Sequence, residues 1–219
     1  MEVFHESSFF KEQRAPALPT PEEVRAINES TGHVRSTNFN RPPPVIVPSL
    51  GLVVKYGADV TIVEAQTQMM VREQLQDRVP VPEVFGWAED GDQRFIYMSL
   101  IQGETLGERW PGMNEIERKA VCEELKQMVN AWRTLKYGGH DRYVGPNPKV
   151  AAVIDWGQAG WYPAYWEYCK ARRVTLDPEY LDSVSQEDWH ERYLPMIIDP
   201  VDEKLFYHPW LYFVLSKGI

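Results

Sequence analysis

Residues 52–57 read Leu52-Val53-Val54-Lys55-Tyr56-Gly57, an apolar run with one lysine inside it and a glycine at its end. This composition predicts a strand, whose period of two puts Val53 and Lys55 on one face and Val54 and Tyr56 on the other. Upstream, Val45 to Val47 forms a second short apolar run across Pro48, Ser49 and Gly51, so the two predict a hairpin. Downstream the period changes: Ile62, Ala65, Met69 and Val71 fit a helix over Thr61 to Leu75. Val79-Pro80-Val81-Pro82 cannot be helical and runs extended. Val84 to Ala88 and Arg94 to Leu100 then read as strands joined by the turn at Glu89 to Asp92.

On the N-terminal side, Thr20 followed by Pro21, Glu22 and Glu23 has the chemistry of a helix start, predicting a short helix from Pro21 to about Glu29. A loop over 30–44 ends in the stiff Pro42-Pro43-Pro44 run. The second half of the chain is different in character. Met113, Ile116, Ala120, Val121, Leu125, Met128, Val129, Trp132 and Leu135 recur at three- and four-residue steps, predicting an amphipathic helix from Asn114 to Lys136, stopped by Gly138-Gly139. Val150 to Ile154 is an apolar strand candidate running into Asp155-Trp156-Gly157. Pro163 opens a helix to Arg173, and Asp188 to Leu194 and Pro209 to Leu215 look helical. The expected fold class is α+β. Residues 1–44 form an N-terminal extension with a short helix and a Pro-rich linker, 45–101 a small strand-rich lobe, and 102–219 a helical lobe.

The 219 residues carry 23 Lys plus Arg and 32 Asp plus Glu, a net charge of −9, with 43% hydrophobic residues. That balance excludes wholesale disorder and disfavours nonspecific nucleic-acid binding, which rests on a dense basic surface. The longest strongly apolar stretch, Leu205 to Leu215, contains His208 and Pro209 and falls short of the ~20 residues of a membrane span. The N-terminal segment lacks a basic start followed by an apolar core, so no secretory signal is expected. Cys122 and Cys169 do not make a disulfide framework and read as buried free thiols, which points to a cytoplasmic location. No His-Glu-x-x-His, Cys-x-x-Cys or Gly-x-Ser-x-Gly pattern occurs. The aromatic cluster Trp156, Trp161, Tyr162, Tyr165, Trp166 and Tyr168 reads as packing, and Lys170, Arg172 and Arg173 as a solvated helix end.

Three residues have the chemistry of a site. Lys55 is either a solvated strand residue or a charge aimed at a ligand or carboxylate. Glu64 either complements a helix dipole or holds that ammonium. Asp155, at a strand end before a glycine turn, either caps the turn or holds a hard cation through oxygen.

Five stretches occur in order: LVVKYG at 52–57, EAQTQMM at 64–70, VPVPEVFGW at 79–87, FIYMSLIQGETL at 95–106 and VIDWGQAGWYPAYWEYCKA at 153–171. Together they resemble the aminoglycoside-phosphotransferase-like family of small-molecule kinases, and most of all its fungal members. The resemblance runs from about Gly51 to Arg173. It implies a two-lobed protein-kinase-like fold and transfer of the γ-phosphoryl group of ATP to a hydroxyl of a small molecule. It also implies that Lys55 contacts the nucleotide phosphates and Glu64 orients it. Met98, Ser99, Leu100 and Ile101 would form the inter-lobe hinge whose backbone receives the adenine, and Asp155 would bind Mg²⁺.

The chain departs from the family at one point. The family carries a His-Gly-Asp segment and an Asn five residues after that Asp, which serve the acceptor proton and a metal. Here His140 and Asp141 are adjacent, Asn147 follows Asp141 by six, and Asp155 follows Asn147 by only eight. The eleven residues from Gly138 to Pro148 span at most ~36–40 Å, enough to connect a helix to a strand but not to build a catalytic loop and a further strand as well. His140, Asp141 and Asn147 therefore read as loop residues, no catalytic residue is assigned, and the helical lobe reads as truncated by an internal deletion. Three expectations follow: a phosphotransferase with little or no activity, a non-catalytic pseudokinase-like nucleotide-binding or regulatory module, or the product of an altered splice or gene model of an active kinase.

Overall fold

Residues 1–75, 78–135, 150, 153, 162–174 and 182–217 are described by a computed structural model. The protein is α+β and divides into two units, Met1–Gln102 with Ala151–Ala159, and Gly103–Val150 with Gly160–Ile219.

In the first unit the described elements are β1 (Glu2–Val3), α1 (Ser8–Lys11), α2 (Pro21–Ser30), β2 (Val45–Val47), β3 (Leu52–Gly57), α3 (Ile62–Leu75), β4 (Val84–Asp90) and β5 (Gln93–Ser99). The strands form one antiparallel sheet in the order β1-β4-β5-β3-β2. The hairpin expected at 45–56 is β2 and β3, paired Val45 to Val54 and Val47 to Leu52. The helix expected at Thr61 to Leu75 is α3, and the two later strands are β4, which runs two residues further than predicted, and β5, which is shifted by one.

The alternation along β3 sorts the two faces of the sheet. Leu52, Val54 and Tyr56 point into a core with Phe85, Phe95 and Tyr97, covered by Phe9, Leu18 and Val24 from the N-terminal segment. Val53 lies on the opposite face, against Val60, Ala65, Val84, Ile96 and Met98. The first 44 residues thus supply one cover of the sheet. The start of α2 carries the expected cap: the Thr20 hydroxyl accepts the Glu23 N–H at 3.2 Å, while the Glu23 carboxylate accepts the Thr20 N–H at 2.8 Å. Asn28 on the same helix is buried and donates to the Tyr56 hydroxyl at 2.8 Å and to the Pro43 carbonyl at 3.0 Å, tying the Pro-rich segment to β3.

β3 ends where Gly57 takes φ +138°. The loop at 39–40 docks directly on it: the Ala58 N–H donates to the Phe39 carbonyl and the Asp59 N–H to the Asn40 carbonyl. A Cβ at Gly57 would lie 2.1 Å from the Asn40 carbonyl oxygen, so only glycine fits in both backbone angle and space.

The second unit holds α4 (Leu106–Arg109), α5 (Glu115–Arg133), α6 (Ala164–Arg173), α7 (Ser183–Asp188), α8 (Leu194–Ile197) and α9 (His208–Lys217). Single π-turns at Trp189–Tyr193 and Glu203–Tyr207 lie between the last three. α5 is the long amphipathic helix read from the sequence. Its Asn114 side chain accepts from the N–H groups of Ile116 and Glu117, and Glu117 accepts from the Asn114 N–H. Val121, Cys122 and Val129 pack with Trp110, Tyr168, Tyr193, Leu194 and Ile197. Ile116, expected on the apolar face, is instead 80% exposed in the first turn. α6 is fastened to α5 through Glu167, whose carboxylate accepts from Trp132 Nε1 at 2.7 Å and pairs with Arg133 at 2.8 Å. Cys122 and Cys169 are buried and unbonded to each other, and burial pushes the Cys122 thiol up to about 11. Among the described residues no helix is long and apolar enough to cross a membrane. Of the strand expected at Val150 to Ile154, residues 151, 152 and 154 lie outside the described residues, and Val150 and Val153 are not in a strand.

Two expectations follow. Gly57→Ala should destabilise the sheet unit by roughly 2–3 kcal/mol, the cost of a forced backbone plus displacement of the 39–40 loop. Gly112→Ala, where an added Cβ meets nothing, should leave stability within about 0.5 kcal/mol. Urea denaturation of both variants reads the contrast, and equal midpoints would contradict it. The second concerns His190, whose Nε2 lies 3.1 Å from the Val174 carbonyl. Burial, with the Arg172 charge adding to it, lowers the imidazole pKa below its ordinary value, against the opposing Val174 contact. The unfolded chain therefore binds the proton at about pH 6.5 while the folded chain does not, so stability falls as pH drops below that value. His190→Phe should flatten the fall, as followed by thermal melts across the acid range.

Candidate functional site

β3 and α3 are consecutive, and the turn between them folds α3 over the face of the sheet that carries Val53. Lys55 is two residues beyond Val53 on the same face, opposite Ile96 of β5. Glu64 sits in the first turn of α3 and reaches down to it. Lys55 Nζ and Glu64 Oε1 are 2.6 Å apart, a charge-assisted contact. Burial is uneven across the pair: the Glu64 side chain is 5% exposed and that of Lys55 31%. The Glu64 side chain is thus the buried member of the pair, and that of Lys55 the less buried one. An arrangement of this kind fixes a cation at one point on the sheet.

One turn further along α3, Gln68 is 1% exposed. Its Nε2 donates to the Pro82 carbonyl at 3.0 Å and lies 3.8 Å from Met98 Sδ. Another turn on, Arg72 Nη1 donates to the Val81 carbonyl at 2.6 Å. The extended segment that receives these bonds owes its form to Pro80 and Pro82, which have no N–H to offer a neighbouring strand. Four consecutive carbonyls of it find partners elsewhere: Pro80 accepts from the Val153 N–H at 2.8 Å, Val81 from Arg72, Pro82 from Gln68, and Glu83 from the Ser99 N–H at 2.8 Å.

Of the four residues assigned to adenine, Met98 is buried at the end of β5 and opposite Val53, on the face shared with Lys55. The Ser99 N–H donates to the Glu83 carbonyl, and its hydroxyl accepts from the Glu83 N–H at 2.9 Å. The Leu100 N–H donates to the Gly51 carbonyl at 2.9 Å. A planar base could therefore use the carbonyls of this stretch and the N–H of Ile101, whose side chain is exposed, but not the N–H groups of Ser99 and Leu100. Asp155, His140, Asp141 and Asn147 lie outside the described residues. Among the described residues no group of three or more His, Cys, Asp or Glu side chains is placed to hold a metal.

The structure thus brings Lys55 and Glu64 into contact and sets Met98 on their face of the sheet. Gln68 and Arg72 were not singled out from the sequence. The signal available for them was their spacing of four and eight from Glu64, beside two prolines whose neighbouring carbonyls need donors. No family profile and no curated protein sequence matches this chain.

Removing Lys55 leaves the buried Glu64 carboxylate desolvated, and removing Glu64 takes from Lys55 a contact at 2.6 Å. Lys55→Met and Glu64→Leu should each cost roughly 2–3 kcal/mol, and the double variant clearly less than their sum. Denaturant titrations of the three variants give the cycle, and strictly additive costs would show that the two groups are not coupled.

Proposed function

We propose that the chain is a kinase-like nucleotide-binding protein of the aminoglycoside-phosphotransferase type that transfers little or no phosphoryl group. The observation that carries this reading is the Lys55–Glu64 pair at 2.6 Å, with the Glu64 side chain buried and that of Lys55 about one-third exposed. A pair of this kind is a poor stabiliser compared with apolar residues of the same volume, so stability alone gives it no reason to be there. Binding of an anion does. The ammonium meets the phosphates of ATP, Glu64 keeps it in place, and the base lies along Met98 to Ile101 through backbone carbonyls and the Ile101 N–H. Asp155 serves as the Mg²⁺ ligand on this reading. Val153, two residues before it in the sequence, is hydrogen-bonded to Pro80 in the same unit as Lys55, which supports that assignment.

The weak-transfer half of the reading comes from the spacing of His140, Asp141, Asn147 and Asp155. A carboxylate for the acceptor proton and an amide for the metal each contribute orders of magnitude in rate, and the 138–149 stretch is too short to position both. The partner in solution is then a nucleotide, and a small hydroxylated molecule is the ancestral acceptor.

Mg-ATP at about one hundred times its Kd should raise the stability of the wild type by ~2.7 kcal/mol, read as a thermal shift. Lys55→Ala should weaken binding by roughly 10–100-fold, the loss of a charge-assisted contact to phosphate, and Asp155→Ala should remove the dependence on Mg²⁺. No shift in the wild type, or an equal shift in all three proteins, sinks the binding half. Turnover on any hydroxyl acceptor in the range of about 1–100 s⁻¹ sinks the other half.

A further inference from the structure

Glu64, Gln68 and Arg72 are spaced by four along α3 and so lie along one stripe of the helix. The first meets Lys55, and the other two meet consecutive carbonyls of the extended segment, Pro82 and Val81. The apolar part of the buried stripe is slight near Glu64: Ala65 is the buried apolar residue beside it, while Val71 and Leu75 are further along. Apolar contact is non-directional and would tolerate a small roll of the helix, whereas a hydrogen bond weakens steeply with angle. Rolling α3 enough to carry the Glu64 carboxylate off Lys55 would break both bonds to the segment. The carbonyls they use are fixed in turn, because Pro80 and Pro82 hold the segment extended and its next carbonyl, Glu83, is bonded to β5.

We infer that Gln68 and Arg72 are positioning residues that fix the rotation of α3 and thereby hold Glu64 against Lys55. Gln68 also touches Met98, so the helix that carries Glu64 is in contact with the segment assigned to the base. The inference deepens the nucleotide reading, and its binding arm rests on that reading. Its structural arm does not.

The test uses the full chain and the reactivity of Lys55. The Glu64 carboxylate sits 2.6 Å from Nζ and engages the amine, so release of Glu64 increases acylation of Lys55. Wild type, Gln68→Met, Arg72→Met, Glu64→Gln and Val24→Ala are treated with an acetylating succinimidyl ester. Acetylation of Lys55 is followed by peptide mass spectrometry relative to Lys11 of the same unit. Val24 packs on the opposite face of the sheet and controls for general loosening. Gln68→Met and Arg72→Met should raise the Lys55 rate by roughly fivefold to tenfold, the scale of one lost buried hydrogen bond. Glu64→Gln should do the same, and Val24→Ala should leave the rate unchanged. Mg-ATP affinity should fall by a similar factor in the two latch variants.

An unchanged Lys55 rate in both latch variants overturns the inference even if their melting temperatures fall. So does an equal rise in Val24→Ala. If Gln68→Met does not fold, Arg72→Met, which alters a partly exposed side chain, decides the matter. A wild type that ignores Mg-ATP but gives the expected pattern of Lys55 rates sinks the nucleotide reading and upholds the positioning role.

Discussion

A carboxylate that is 95% hidden from water, with an ammonium 2.6 Å from it, constrains everything around it. The charge on Glu64 has lost most of its hydration, and Lys55 at short range compensates it. The backbone at Lys55 is held by its pairing with Ile96 of β5. Glu64 can move with α3. The geometry of the pair therefore depends on how firmly α3 is held against the sheet.

Part of that grip is the apolar packing of Ala65 with Val60, Val84, Ile96 and Met98. The rest is polar and depends on two prolines. Between α3 and β4 the chain must return across the sheet without joining it, and Pro80 and Pro82 prevent it from pairing as a strand. Four carbonyls in succession are left needing donors, and each obtains one from a different place: Val153, Arg72, Gln68 and Ser99. A short irregular segment thereby becomes the point where α3, β5 and the chain at Val153 are joined. Burying such a segment is affordable only because its backbone is satisfied in this way.

Much of this was legible in the sequence. The four longer strands and helices α2, α3, α5 and α6 follow from period, caps and prolines, since their apolar residues recur at the spacing of the surface they cover. β1 and α1 were not legible. β1 is two residues long, and what recommends it is Gly86, whose missing side chain lets the Glu2 carbonyl approach within 2.5 Å of where a Cβ would stand. Such a contact joins residues more than eighty apart, and no local pattern announces it. Ile116 misled for the opposite reason: it fits the helical period but falls in the first turn of α5, beyond the cover of the neighbouring elements. At the site, the types Lys55 and Glu64 pointed to a pair, but only the fold shows which of them is buried. Gln68 and Arg72 look like surface residues in the sequence because polar side chains in a helix usually are.

On the nucleotide reading, the difference between holding and transferring follows from what Lys55 can do. An ammonium on the phosphates neutralises charge that is present before the reaction as well as during it. An interaction made equally in both states strengthens binding and leaves the chemical barrier where it was. Lowering the barrier takes groups that act on what changes: the acceptor proton, the alignment of the attacking oxygen, and the charge that grows on the bridging oxygen. By the family resemblance those tasks belong to the segment before Asp155, where the spacing of His140, Asp141 and Asn147 departs from the family's. A chain that keeps β3, α3 and their latch while losing that segment loses rate first and affinity last, because the two properties rest on different residues.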